Sequence, residues 1–176
     1  LLCKIYFRTN RLSHGNKLLN DKFLSYPNDS KLLRFKGFRS LIDGDFDKGW
    51  KLYELRHSNL DKRFPTIPEW NGEDLSSKKI LVYNEQGIGD AIQFSKYLIN
   101  LNKNCKNIDF IVNKNLYDLF DTSNHDGLNL ITEDNIDLDK YNFKISLGSL
   151  VKFFYKDFNL ITKNLIKVDL DQINSY

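Results

Sequence analysis

Short apolar runs alternate with longer stretches of helical period from residue 78 onward. The apolar runs that predict strands are Lys79 to Asn84, Ile108 to Val112, Leu128 to Thr132 and Phe143 to Leu147. The stretches with helical spacing are Asp90 to Leu101 and the shorter Leu116 to Phe120. Strands that alternate with helices predict a parallel sheet with helices on its faces. Residues 78–176 are therefore expected to form an α/β domain.

The first 60 residues have helical spacing and a weak internal repeat. At an offset of about 34 residues, the period of the tetratricopeptide repeat, Gly15 aligns with Gly49 and Leu19 aligns with Tyr53. The spacings over residues 1–60 resemble that family, with the first repeat truncated. The alternative is an ordinary helical hairpin whose glycines agree by chance. Since each such repeat buries its apolar face on a neighbour, we expect further repeats upstream.

Small residues and a turn mark the second of these helical units. Gly37 and Gly49 are expected to let two antiparallel helices approach closely, with Gly44-Asp45 as the turn between them. Tyr53 is the large residue expected to fill the groove between the helices. Residues 1–60 are thus predicted to be tetratricopeptide-like helical hairpins.

Residues 61–77 lack the hydrophobic periodicity of a helix or of a strand, and they contain helix breakers. Pro65, Pro68 and Gly72 interrupt any helix in this stretch. Its apolar residues are Phe64, Ile67, Trp70 and Leu75. We therefore predict a connector that packs against the following domain.

Composition excludes several classes of function. The 176 residues include 26 basic and 23 acidic ones, a net charge of +3, without a sustained basic block, so nucleic-acid binding is not expected. No apolar run is long enough for a membrane span, and we expect a cytoplasmic protein. Two cysteines and three widely separated histidines do not form a metal-binding pattern, so neither a metal nor a cofactor is expected. The chain contains no Met, which indicates a piece of a longer protein.

The loop after the first predicted strand is the candidate site. Gly87 and Gly89 are expected to turn the backbone sharply with positive φ and to expose amides at the start of a helix, which suits an anion such as phosphate. A dinucleotide-binding fingerprint needs a third glycine where Ile92 stands, which disfavours a nucleotide-dependent oxidoreductase. The glycines alone are a weak signal.

Asp90 follows this turn and allows two interpretations. As a residue at or near the helix N-cap, its carboxylate stabilises the helix by about 1 kcal/mol. As a general base at the mouth of the sheet, it accepts a proton from an attacking hydroxyl. Spacing alone favours the first interpretation.

Three stretches carry a resemblance to a known family. They are Leu41-x-x-Gly44-Asp45-Phe46-x-x-Gly49-Trp50-x-x-Tyr53-Glu54-x-Arg56, then Pro68-x-Trp70-x-Gly72-Glu73-x-Leu75, then Ile80-Leu81-Val82-x-x-Glu85-Gln86-Gly87-Ile88-Gly89-Asp90-x-Ile92-Gln93-Phe94. Together they resemble bacterial tetratricopeptide proteins fused to a heptosyltransferase-like glycosyltransferase of family 9. The resemblance implies that residues 78–176 form the Rossmann-like N-terminal lobe of a two-lobed GT-B fold.

The resemblance also implies a reaction. A sugar would pass from a nucleotide-sugar donor to an acceptor hydroxyl with inversion and without a metal, and Asp90 would be the catalytic base. The candidate substrate-binding residues are Gln86, Gly87, Ile88, Gly89 and Gln93. Because the chain stops at Tyr176, near the family's crossing into its second lobe, we expect the donor-binding lobe to be absent and the chain to be inactive alone. The alternative is a tetratricopeptide interaction module, with a protein partner on the repeats and a non-catalytic α/β lobe.

Overall fold

The chain forms a helical part followed by an α/β part. A computed structural model describes residues 5–6, 8–59, 63–120, 125–134, 136–160 and 165. Two compact units divide the chain, Leu1–Asp61 and Lys62–Tyr176. The first unit is helical and the second contains a parallel sheet, so the coarse prediction of helices followed by α/β is confirmed. Within the described ranges, no helix has the length and apolar character that crossing a bilayer requires.

Three α-helices with defined ends lie among the described residues of the helical unit. They are α1 (Leu12–Ser25), α2 (Ser30–Ile42) and α3 (Phe46–Tyr53), followed by a 3-10 turn at Glu54–Asn59. Asp29 caps α2 by accepting the Leu32 amide at 2.9 Å, and Asp45 caps α3 by accepting the Lys48 amide at 3.2 Å. Gly44 joins α2 to α3 with φ of +83°, which confirms the turn predicted at Gly44-Asp45.

Two glycines set the separation of α2 and α3. A Cβ added to Gly49 would lie 2.4 Å from Leu41 Cδ2, and one added to Gly37 would lie 2.8 Å from Leu52 Cβ. No side chain larger than hydrogen fits either position without moving its neighbour. The predicted close approach at these glycines is confirmed, and Tyr53 is buried. That these helices are tetratricopeptide repeats stays a prediction.

The described residues of the second unit form a sheet of four parallel strands. These are β1 (Ile80–Tyr83), β2 (Ile108–Ile111), β3 (Leu128–Ile131) and β4 (Phe143–Ser146), in the order β3-β2-β1-β4. All four predicted strands are confirmed, each slightly shorter than predicted. The order reverses at β1, because the chain passes outward through β2 and β3 and then returns to the other side of β1 as β4. In open α/β sheets, ligands bind outside the carboxyl ends of the strands at this switch point.

The connections between the strands are helical or 3-10. Helix α4 (Ile88–Asn104) crosses from β1 to β2 and is longer than the predicted Asp90 to Leu101. A 3-10 turn at Lys114–Leu119 occupies the place of the predicted short helix, and another, Leu138–Lys140, precedes β4. After β4 come a 3-10 turn (Leu147–Leu150), the short helix α5 (Val151–Phe154) and a further 3-10 turn (Tyr155–Leu160).

Both faces of the sheet are buried. Ile80 pairs with Ile108 and Val82 pairs with Phe110, and all four side chains are fully buried on one face. Alternation turns Leu81, Tyr83 and Ile111 to the opposite face, where they form a core cluster with Ile67. Continuous apolar strands are typical of a parallel sheet that is covered on both sides.

The segment before β1 extends the sheet beside β4. The Trp70 amide donates to the Lys144 carbonyl at 2.8 Å, and the Lys144 amide donates to the Pro68 carbonyl at 2.8 Å. Glu69 pairs with Lys144 as an isolated parallel bridge. Because Ile67, Trp70 and Leu75 are also buried, this segment is part of the α/β core.

Candidate functional site

The loop after β1 lies at the switch point of the sheet. Asn84 shapes this loop by donating from Nδ2 to the Gln86 carbonyl at 2.8 Å, while its Oδ1 lies 3.5 Å from the Gln86 amide. Gln86 Nε2 lies 3.4 Å from Glu85 Oε1. These short-range contacts stabilise the loop between the strand and the helix.

The glycines of this loop do not have the predicted backbone. Gly87 is extended, with φ of −73° and ψ of 175°, and Gly89 lies inside helix α4. The glycines with positive φ among the described residues are Gly44, Gly72 and Gly127. The prediction of a left-handed turn was wrong because α4 begins at Ile88, so the chain passes from an extended residue directly into a helix.

Gly89 is not required by packing within the chain. A Cβ added there would meet no atom within 4 Å, whereas one added to Gly87 would lie 3.6 Å from Asp90 Oδ2. Ile88 between them is 53% exposed. The first turn of α4 is therefore an open surface on which another molecule can approach the backbone.

Asp90 is the third residue of α4 and is half-buried. Its carboxylate lies next to the Gly87 backbone, which carries no side chain to cap the helix. A carboxylate in the first turn also stabilises the helix through its dipole. Gln93, one turn further along α4, is exposed. The structure thus brings Asp90, Gly87, Ile88, Gly89 and Gln93 together on one helix end.

A cleft of about 400 Å³ lies beside this helix end, at the carboxyl ends of β1, β2 and β3. Of the predicted site residues only Gln86 lines it. The other lining residues are Arg63, Asn84, Ile111, Val112, Asn113, Lys114, Thr132, Glu133 and Asp134. Sequence reasoning missed them as site residues, although those from 111 to 134 lie at or just after the ends of predicted strands. Nothing in the sequence pattern marks Arg63.

Charges in this cleft occur as opposite pairs. Arg63 forms an ion pair with Glu133, and Lys114 Nζ lies 2.8 Å from Asp134 Oδ2. The hydrogen bond from Lys114 lowers the pKa of Asp134, and the same contact raises the pKa of Lys114. The cleft is therefore polar but has no excess of either charge among these side chains. Amide and hydroxyl groups of Asn113 and Thr132 complete a surface suited to hydroxyl groups.

A second polar cluster lies on the same sheet, around Asp109. Lys79 Nζ contacts its Oδ2 at 2.7 Å, the Tyr141 hydroxyl donates to the same oxygen at 2.7 Å, and Asn129 donates to Oδ1 at 3.0 Å. Burial acts to raise the pKa of Asp109, but these hydrogen bonds outweigh it and the pKa is lowered. Burial, together with the Asp109 carboxylate, raises the pKa of Tyr141. The cluster's polar groups satisfy one another, which is the pattern of a structural network.

The described residues provide no metal centre. No group of three or more His, Cys, Asp or Glu side chains among them is placed to hold a metal ion. Cys105 is buried, and burial raises the pKa of its thiol, so it lacks the character of a nucleophile.

Comparison with known proteins finds a partial similarity. The chain is 34% identical to Protein FlbA of Caulobacter vibrioides over 77 residues, which cover 41% of this chain and 13% of FlbA. No family model matches the chain. No solved structure matches it either.

Proposed function

We propose that the α/β unit is the N-terminal, acceptor-side lobe of a family 9, heptosyltransferase-like glycosyltransferase with a GT-B fold. The observation that carries the proposal is the position of Asp90. Its carboxylate lies at the open first turn of α4, beside Gly87, directly after β1 where the strand order reverses. That is the edge of an open α/β sheet at which ligands bind.

Asp90 would act as the general base of the transfer. It accepts the proton of an acceptor hydroxyl while that oxygen forms a bond to the anomeric carbon of the donor sugar. The bond from the anomeric carbon to the nucleoside diphosphate breaks at the same time, and the diphosphate leaves with the electron pair. Attack opposite the leaving group inverts the anomeric centre. We assign the donor's nucleotide mainly to a second lobe.

The cleft beside α4 would hold the acceptor. Its lining provides hydroxyl, amide and paired charged groups, and Gln86 connects it to the loop that leads to Asp90. The backbone at Gly87 and Gly89 is free of side chains, so a hydroxyl or phosphate oxygen can approach the amides closely. An acceptor that extends from the cleft past Gln86 would reach the open turn.

Transfer measured with the complete gene product tests this proposal. Nucleotide sugars of several bases are incubated with hydroxyl acceptors, and release of nucleoside diphosphate is followed. Asp90→Asn should lower kcat by at least about a hundredfold, as is typical for loss of a general base. Asp118→Asn, an exposed carboxylate of the same unit, is the control and should leave turnover unchanged. Equal turnover in the wild type and Asp90→Asn would falsify the assignment of the base.

The second candidate function is a protein-interaction module with a non-catalytic α/β lobe. Exposed apolar side chains on the helical unit favour it, among them Tyr26 at 60% and Ile42 at 68% exposure. Exposed apolar side chains mark an interaction site where they form a contiguous patch. In this case Asp90→Asn would leave binding to the partner unchanged, whereas Ile42→Ser would weaken binding to the partner of the helical unit.

A further inference from the structure

Arg63 crosses the cleft from one strand end to another. Its Nη1 donates to the Asn84 carbonyl at 2.9 Å, and its Nη2 pairs with the Glu133 carboxylate. Asn84 follows β1 and Glu133 lies just beyond β3, and β2 runs between these two strands. The guanidinium therefore joins two loops over the end of the intervening strand. Its side chain is 35% exposed, so it is partly shielded from water.

The backbone of Arg63 is itself fixed to the sheet. Lys144, on β4, donates from Nζ to the carbonyls of Arg63 and Phe64, the latter at 2.9 Å, and lies 3.4 Å from Glu69 Oε1. The Lys144 side chain is only 6% exposed, and a buried cation needs such partners to compensate for its lost hydration. The buried Lys144 side chain thus fixes the position of the Arg63 backbone, from which the Arg63 side chain extends.

A continuous set of contacts leads from Arg63 to the helix end. The Asn84 carbonyl accepts from Arg63, and the Asn84 side chain donates to the Gln86 carbonyl at 2.8 Å. Gln86 is followed by Gly87, which precedes the first residue of α4. Arg63 therefore holds the first residue of the loop between β1 and α4, which is Asn84. The Asn84 side chain in turn holds the third residue, Gln86.

We propose that Arg63 is a positioning residue of the candidate site, which holds the loop from Asn84 to Gly87 in place for Asp90. The inference rests on the proposed function in taking this loop as part of the site. Arginine suits the role because its planar fork reaches two acceptors in fixed directions, whereas lysine offers a single flexible point charge. The partly exposed ion pair with Glu133 contributes little to folding by itself. The effect of Arg63 is on the loop's geometry.

Backbone amide NMR spectra of the complete gene product test the role without need of substrate. The amides of Gly87 and Gly89 report the loop and the first turn of α4. Arg63→Ala should shift both amides, and added guanidinium chloride at low concentration should return them toward their wild-type positions. The matched control is Lys114→Ala, which removes the other cation of the same cleft without touching Asn84.

The outcomes separate the positioning role from a general structural one. Unmoved glycine amides in Arg63→Ala would overturn the proposal, and so would equal shifts in Lys114→Ala. Should Arg63→Ala lose its cooperative unfolding transition, Arg63→Lys is measured instead. Lysine keeps the positive charge of arginine but lacks the planar guanidinium with its two donors. Arg63→Lys should therefore also shift the Gly87 and Gly89 amides, and unshifted amides would refute the positioning role of Arg63.

Kinetics give a second, independent readout. Arg63→Ala should lower kcat about tenfold to a hundredfold, in the range expected for a displaced catalytic geometry, with a smaller change in KM. Guanidinium should restore part of the lost kcat. A change in KM alone would instead indicate a direct contact with substrate and would overturn the positioning role. If the wild type transfers no sugar, the proposed function fails, while the glycine amides still decide what Arg63 does.

Discussion

Replacing Gly89 with alanine should change stability and activity in opposite directions. Gly89 is the second residue of α4, its backbone is helical, and a Cβ there meets no atom within 4 Å. Glycine in a helix is less favourable than alanine by about 0.5–1 kcal/mol, because it loses more backbone freedom on folding. With no steric cost to set against it, Gly89→Ala should raise the free energy of unfolding by about that amount.

The loss of activity follows from the geometry of a close approach. A ligand oxygen that accepts a hydrogen bond from a backbone amide lies about 2.9 Å from the nitrogen. A methyl group on residue 89 does not block its own N–H, but it requires about 3.5–4.0 Å from the heavy atoms of a ligand that packs against the glycine, and so displaces that ligand from the amides of the first turn. A hydrogen bond to a charged group contributes about 1.5–3 kcal/mol. Gly89→Ala should therefore lower kcat/KM by about tenfold to a hundredfold.

Urea unfolding and nucleoside diphosphate release measure the two effects. Trp70 reports the α/β unit and Trp50 the helical one, so the fluorescence change can be assigned by replacing each in turn with Phe. Lys103→Ala, at an exposed position of the same helix, controls for a general effect of alanine and should leave turnover unchanged. A lower free energy of unfolding in Gly89→Ala would show that the backbone at residue 89 does not accept alanine in an unstrained helical conformation. A gain in stability with unchanged turnover would refute the role of the glycine in ligand access.

Four further changes test the packing and the polar network. Gly127→Ala should destabilise the α/β unit by at least about 2 kcal/mol in urea unfolding, because φ is +79° and the new Cβ would lie 2.0 Å from the Lys106 carbonyl oxygen. Gly44→Ala has a similar φ of +83° but open space, and should cost only about 1 kcal/mol; equal losses would contradict the steric argument. Gly49→Ala should cost about 1–3 kcal/mol by forcing α2 and α3 apart, and near-UV circular dichroism should change with it; an unchanged spectrum and stability would count against their close contact. The lowered pKa of Asp109 stabilises the fold above the unfolded value of about 3.9, and this contribution is lost as the pH falls through the folded pKa. Asp109→Asn should therefore unfold at lower urea than wild type at pH 7, with a smaller difference at pH 3, and a difference independent of pH would contradict the network.

Local sequence determined which segments form strands and turns. The apolar runs around Ile80, Ile108, Leu128 and Phe143 are each bounded by polar residues or helix breakers, and burial of such runs favours extended structure whatever their neighbours are. Gly44 similarly supplies the positive φ that a short helix connection needs. The predicted start of α4 was two residues too late, because glycine is compatible both with a turn and with a helix that is stabilised by packing on the sheet.

The residues of the candidate site also fall into two groups: those that the sequence indicates and those that only the tertiary structure brings together. Gln86 and Asp90 belong to one short motif after a strand, so the sequence alone pointed to them. Arg63 contacts Asn84, 21 residues away, and Glu133, 70 residues away, and no periodicity or motif connects these positions. Only the order of the parallel strands and the hold of Lys144 on the preceding segment bring them to one cleft. Local propensities act over a few residues, so the sequence alone determines the strands and the motif that follows β1. The pairing of distant side chains depends on how the strands and loops pack across the whole sheet, and only the tertiary structure decided it.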